Sequence, residues 1–187
     1  MYDFRQRNVL SLIAEGIDGE ARFRHSTGWG VYDLGVSVSR KTRFDQNFAG
    51  GTTFSVLNTT GFNGTFPSIK LDLRADAGFE YGPFGATVFV NHTGKYRNWG
   101  ANAVNPVVSV GGVPTGGGDP VKAYTTFDLH LSYKLPRTGF LPKGSIYLDV
   151  VNLFDKKPAF YNSAQGYDTF TGNPLLRVAT VGIRARW

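Results

Sequence analysis

The chain has 187 residues, 41% of them hydrophobic and 14% aromatic, with 24 glycines, no cysteine and a formal net charge of +6. Without cysteine there are no disulfides, thiol nucleophiles or cysteine-held metals, and no apolar run approaches the roughly 20 residues of a membrane helix. Lysine and arginine are scattered rather than gathered into a tract or helical stripe, so nucleic acid is not an expected partner.

The first eight residues, Met1-Tyr2-Asp3-Phe4-Arg5-Gln6-Arg7-Asn8, hold neither an apolar h-region nor a small-residue cleavage site, so they are not a secretory signal. Period-two alternation, the mark of a half-buried strand, begins at 16–25, where Ile17, Ala21 and Phe23 oppose Asp18, Glu20, Arg22 and Arg24. A Gly-rich turn at 26–30 leads into 31–40, with Tyr32, Leu34, Val36 and Val38 against Asp33, Ser37 and Ser39, and the pair reads as a hairpin. Residues 41–70 show little periodicity and read as a long polar loop. The cleanest alternation follows at 71–81, setting Leu71, Leu73, Ala75, Ala77, Phe79 and Tyr81 against Asp72, Arg74, Asp76 and Glu80. A tight turn at 82–85 returns the chain into 86–97, where Ala86, Val88 and Val90 share a side but Phe89 blurs the pattern. The Gly-rich stretch 98–122 reads as a second long loop. Strands at 123–135 and 145–154 flank a medium turn, 155–173 is a third long loop, and the chain closes on a strand with Ala179, Val181, Ile183, Ala185 and Trp187 opposite Thr180, Gly182, Arg184 and Arg186.

These seven segments predict an all-β, antiparallel fold whose connections run short, long, short, long, medium, long. One apolar side, one charged side and a terminal aromatic are the pattern of a transmembrane β-barrel, with short turns on the periplasmic side and long loops outside. Trp29, Tyr81, Phe84, Tyr133 and Trp187 then fall at the periplasmic interface. An odd strand count leaves an edge without a partner, which hydrocarbon does not tolerate, so the chain is expected to supply about seven strands of a larger barrel. A soluble β-sandwich or β-barrel acting as a ligand-binding module is the alternative.

The run Asp149-Val150-Val151-Asn152-Leu153-Phe154-Asp155-Lys156-Lys157-Pro158, followed by a polar loop and a terminal strand ending in an aromatic, resembles the C-terminal end of a TonB-dependent outer-membrane receptor. Gly16-Ile17-Asp18, Gly82-Pro83-Phe84 and Tyr96-Arg97-Asn98 fit the same resemblance, which covers residues 1–187. It implies a barrel filled by an N-terminal plug, located in the bacterial cell outer membrane. The activity implied is receptor-mediated uptake of a scarce ligand, such as a ferric siderophore, cobalamin or an oligosaccharide, with energy delivered by TonB. The plug and the TonB-binding box have no counterpart in this sequence. Outer-membrane lipid, plug, TonB and the barrel assembly machinery are the implied partners, the last reading Val181, Ile183 and Trp187 as its signal.

No arrangement of residues points to an enzyme. His25, His92 and His130 lie on separate segments without metal-ligand spacing, and no cofactor is expected. The charged side reads as barrel-to-plug anchoring in preference to a ligand path. Recognition is expected in the long loops, where aromatic faces sit beside amide donors: Phe48 and Asn63 in the first, Tyr96, Arg97 and Trp99 opening the second. Packing of the loops over the barrel mouth is a reading of the same residues that carries at least as much weight.

Overall fold

The structure is a computed structural model that describes residues 10–48, 52–60, 68–100, 104–136 and 143–186. It contains β1 (Leu10–Thr27), β2 (Gly30–Phe48), β3 (Thr53–Ser55), β4 (Thr59–Thr60), β5 (Leu71–Tyr81), β6 (Phe84–Thr93), β7 (Tyr96–Asn98), β8 (Val108–Val110), β9 (Val113–Gly116), β10 (Asp119–Val121), β11 (Tyr124–Leu135), β12 (Lys143–Val151) and β13 (Val178–Arg186), and no helix among the described residues. The long strands form one antiparallel meander in the order β1-β2-β5-β6-β11-β12-β13, with β3 added to β2. Among the described residues β1 and β13 are open edges, so the sheet is not closed. A second sheet, β10-β7-β4, includes one parallel pair, and β8–β9 is a small hairpin.

Directly paired residues share a face of a sheet. Following the register across the meander therefore assigns every side. Phe23, Leu34, Ala77, Val88, Leu129, Val150 and Ala179 lie in one row, and Tyr81, Phe84, Tyr133, Ile146 and Ile183 in another on the same face. Asp18, Glu20, Arg22, Arg24, Asp72, Arg74, Asp76, Glu80, Asp128, His130, Asp149 and Arg184 all fall on the other face. Phe89 is on this polar face, which resolves its awkward place in the sequence pattern. The Arg74 guanidinium sits 5.0 Å from its ring centroid, a cation–π contact.

Among the described residues no second layer covers the apolar face. Ile17 is 67% exposed, Val181 71% and Ile183 72%. Soluble domains rarely leave so large a contiguous apolar patch in water.

The face ends at a β-bulge. Gly16 pairs with Lys41 and Glu15 with Arg43, leaving Thr42 as the extra residue. Before the bulge the outward row is Phe23, Ala21 and Ile17 against Leu34, Val36 and Arg40. Beyond it, the same face carries Glu15, Ile13 and Ser11 against Arg43, Asp45 and Asn47. Arg43 bridges Glu15 at 3.1 Å and Asp45 at 2.5 Å there. The extra residue also turns Phe44 to the opposite face, where it packs on Phe54, Val56 and Trp99. Alternation read straight through Lys41 to Arg43 is broken by this insertion, which is why β2 runs on to Phe48 where the sequence pattern predicts a loop. The connection predicted over 98–122 likewise holds three short strands, β8, β9 and β10, and the last residue of β7, rather than irregular chain.

At the opposite end the strands are joined tightly. Tyr81 pairs with Phe84, so only Gly82 and Pro83 form the turn, one residue pair shorter at its far side than the predicted 82–85. Gly82 has φ +55°, which suits the first central position of a type II′ turn. Aromatic pairs gather at this end: Phe84 and Tyr133 at 4.8 Å between centroids, Tyr32 and Phe79 at 4.9 Å. Trp29 stands exposed in the β1–β2 turn.

Asn152 ends β12. It adopts φ +53°, and its amide pairs with one backbone position: Nδ2 donates to the Lys156 carbonyl and Oδ1 accepts from the Lys156 N–H, both at 2.9 Å. Its own N–H donates to Asp128 Oδ1 at 2.8 Å, while Phe154 meets Phe127 edge-on at 5.3 Å. Asp155, at φ +55°, accepts from the Arg177 N–H at 3.0 Å and so sets the approach to β13. The Asn-Leu-Phe-Asp run is thus a turn that locks the loop before the last strand to β11. Asn152→Ala removes both side-chain bonds and leaves in the left-handed region an alanine, which tolerates it less well than asparagine, so it is expected to cost about 1–3 kcal/mol in denaturant unfolding. Asn152→Gly, which relieves the backbone, is expected to cost less; equal losses would contradict this role for the left-handed conformation.

Candidate functional site

The three long connections meet at the end of the sheet beyond the bulge. Phe54, Val56 and Trp99 form one apolar cluster with Phe44, Val107 and Val113; Ile69, Tyr96 and Val121 form a second with Ala159 and Tyr161. Short strands recruit these side chains: β7 is paired on one side by β10 and on the other by β4, so Tyr96 and Asn98 point into the junction and are 3% and 0% exposed. Hydrogen bonds tie the connections across long sequence distances. Thr60 Oγ1 donates to Tyr161 Oη at 2.9 Å, Tyr96 Oη donates to Asp168 Oδ2 at 2.6 Å, and Asn98 Nδ2 donates to the Asn162 carbonyl at 3.0 Å. Burial first, and then Asp168, push the Tyr96 phenol far above its ordinary value, so it remains a proton donor at any physiological pH.

Asp119 is the polar centre of the junction. Its carboxylate accepts from the backbone N–H of Asn105 at 2.8 Å and of Val104 at 3.0 Å, and from the side-chain amides of Asn105 at 3.1 Å and Asn162 at 3.4 Å. The Asn105 backbone N–H above all holds this carboxyl below the usual carboxylate range, against the opposing effect of burial. Nearby, Gln46 is fully buried with neither end of its amide partnered among the described residues, leaving hydrogen-bonding capacity inside the junction.

The expected recognition residues separate in this geometry. Tyr96 and Trp99 are packed inside; Trp99 Nε1 donates to the Gly117 carbonyl at 3.3 Å. Arg97 is on the surface of β7 and clamps the Gly-rich loop through the carbonyls of Gly117 and Gly118, at 3.3 and 3.1 Å. Phe48 ends β2 opposite Leu10, with its side chain outside the described residues, as is Asn63 altogether. Of the expected assembly signal, Val181 and Ile183 stand exposed on the apolar face of β13, and Trp187 lies outside the described residues. Tyr96, Arg97 and Trp99 therefore come together as loop packing. Of the residues that organise them, Asn98 is marked only as the end of the Tyr96-Arg97-Asn98 run, while Asp119, Asp168 and Asn162 carry no periodicity or motif in the sequence; the Asp119-Pro120 step in a Gly-rich stretch is their only local sign.

The polar face offers a second set of groups. Lys134 bridges Glu80 at 2.7 Å, Arg24 bridges Asp33 at 3.3 Å, and His130 Nδ1 lies 2.6 Å from Asp149 Oδ1 beside the Tyr147 ring. Tyr147 in turn lies over Gly182, where a Cβ would collide with the ring. Among the described residues no three His, Asp or Glu side chains are grouped to hold a metal.

Fold and faces together define a two-faced antiparallel meander with organised loops at one end and tight aromatic turns at the other. No protein-family model, no curated protein and no solved structure matches the chain.

A carboxyl whose folded pKa is depressed stabilises the junction above its unfolded pKa and loses that contribution as pH falls through the folded value. On acidification, amide-exchange protection at Val104 and Asn105 is therefore expected to persist through the ordinary carboxylate range near about 4 and to fail only below it. In Asp119→Asn this step should vanish. Loss of protection at or above the ordinary carboxylate value would contradict the geometry around Asp119.

Proposed function

We propose that the chain forms part of the wall of a transmembrane β-barrel in the bacterial outer membrane and belongs to a TonB-dependent receptor that takes up a scarce small ligand. The observation that carries this reading is the apolar face: among the described residues seven adjacent strands present one uncovered apolar surface, opposite a face that by register holds all the carboxylates of these strands on the turn side of the bulge. A soluble sandwich would need a second sheet over that surface. The dimensions agree with a bilayer: the 11 residues of β5, at about 3.3 Å each and tilted by about 45°, rise about 25 Å, the height of the apolar band of such barrels.

The other features fit around this one. Aromatic pairs at the tight turns form an interfacial girdle, and the bulge at Thr42, just beyond Arg40, marks where β1 and β2 leave hydrocarbon, because from there on the apolar face carries Glu15, Arg43 and Asp45. The polar face lines an interior of water or plug, which can pair its charges. The open edges of β1 and β13 call for further strands, since unpaired backbone groups cannot face lipid. Assignment to a TonB-dependent receptor rests on the Asn152-Leu153-Phe154-Asp155 turn together with the terminal strand. With this turn locked to β11, the loop junction around Asp119 is a rigid frame over the barrel mouth, and ligand recognition falls to the surface it displays, including Arg97.

Neighbours on β13 separate the two faces. Ile183→Arg directs a charge into lipid and is expected to cost about 2–4 kcal/mol near the midplane and less toward an interface, while Arg184→Leu alters only the interior. The membrane-integrated, heat-modifiable fraction should fall for Ile183→Arg and hold for Arg184→Leu; equal losses, or a larger one for Arg184→Leu, would show that the faces are reversed or that neither meets lipid.

A further inference from the structure

At the loop-side margin of the apolar face, a cavity of about 410 Å³ is lined by Arg40, Lys70, Leu71, His92, Gly94 and Lys95, among others. The backbone assembles it around Leu71. Arg40 pairs with Leu71 across β2 and β5, Lys70 precedes it, and Gly94, whose N–H donates to the Leu71 carbonyl at 2.8 Å, delivers Lys95. His92 lies on the same face, opposite Leu73, with Nδ1 2.8 Å from Thr125 Oγ1. Arg40, Lys70 and Lys95 are exposed, and none has a carboxylate partner among the described residues. The nearest acid in sequence, Asp72, is on the polar face.

The contrast along the apolar face sharpens this. Between Arg40 and the tight turns, the described strand residues of that face include no lysine or arginine, and the turn-side margin is aromatic. Three cations without a carboxylate partner among the described residues thus meet an apolar surface at the loop-side margin. A ligand that satisfies both halves carries phosphate at one end and hydrocarbon at the other.

We propose that this cavity binds the phosphorylated headgroup of an anionic lipid in the leaflet on the loop side, with the acyl chains running down the apolar face past Leu71 and Leu73. The inference rests on the membrane reading above and adds a specific occupant to it. Cations near a membrane surface attract anionic lipid at about a fivefold gain each, and a groove that holds three of them on fixed strands turns that attraction into a local site.

The test uses the chain within the complete barrel that the membrane reading calls for, refolded into phosphatidylcholine vesicles containing a small fraction of dansyl-labelled phosphatidic acid or, in parallel, dansyl-labelled phosphatidylcholine, with energy transfer from tryptophan reporting lipid proximity. Wild type is expected to enrich the phosphatidic acid label over the phosphatidylcholine label. Arg40→Gln with Lys70→Gln and Lys95→Gln should lose that preference on the order of fivefold per cation removed, while inserting as well as wild type. Arg22→Gln with Arg24→Gln, which removes charge from the polar face, should keep the preference. Equal enrichment in the triple variant and wild type would overturn the lipid site and leave the membrane reading intact, and failure to insert into any vesicle would overturn both. Enrichment abolished by inorganic phosphate at constant ionic strength would show an anion site in place of a lipid site.

Discussion

The structure depends on one constraint, the alternation of side chains along a strand held in phase across seven strands. Because paired residues share a face, one residue of slip in any pairing would carry charges into the apolar row and leucines into the polar one. No such slip occurs between Ile17 and Ile183: Phe23, Leu34, Ala77, Val88, Leu129, Val150 and Ala179 stay in line while Arg22, Asp76 and Asp128 stay opposite. The one phase change among the described pairings of the seven-strand meander is placed where it has a use. Thr42 shifts the pattern so that Phe44 turns into the loop core and Arg43 turns out beside Glu15, converting an apolar surface to a charged one within two residues.

The two ends of the meander are built from different materials for the same reason. At the turn end, a two-residue connection at Gly82 and Pro83 leaves no room for a domain, and the margin is finished with tyrosine and phenylalanine, whose amphipathic rings suit a boundary between oil and water. At the loop end, long connections must satisfy many backbone groups away from the sheet. They do so by making short strands of their own and by gathering around Asp119 and Tyr96, so that residues as far apart in sequence as Thr60 and Tyr161 become direct partners. The rigid frame, the basic margin around Leu71 and the charged face are then separate surfaces with separate chemistries on one sheet.

What the sequence makes legible follows from the range of the interactions. Strand β5 is readable residue by residue, because Leu71 to Tyr81 alternates without interruption and its turn is marked by Gly82-Pro83. The reach of β1 and β2 is not, because the inserted Thr42 is indistinguishable in sequence from the start of a polar loop. Strands of two to four residues such as β4, β7 and β10 carry too few positions to show a period, and their pairings are set by tertiary contacts. The loop residues were the least legible. An aromatic beside polar residues reads equally as a ligand platform or a packed core, and only the burial of Tyr96 against Asp168 and of Trp99 against Gly117 separates the two. The turn at Asn152 was visible as a motif, while its physical role, a left-handed residue whose amide closes on Lys156, was not.

Because the chain has no cysteine, single cysteines introduced in turn from Leu71 to Tyr81 can be labelled without background. After refolding into vesicles within the complete barrel, each is exposed to a charged, water-borne thiol reagent and, separately, to a lipid-soluble one. Membrane burial of the apolar face predicts a period of two in opposite phase: Leu73, Ala75, Ala77 and Phe79 positions labelled from the lipid phase, Asp72, Arg74, Asp76 and Gly78 positions from water. Labelling of both sets from water, or alternation with the phases exchanged, would contradict the central claim that the uncovered face of this sheet lies against lipid.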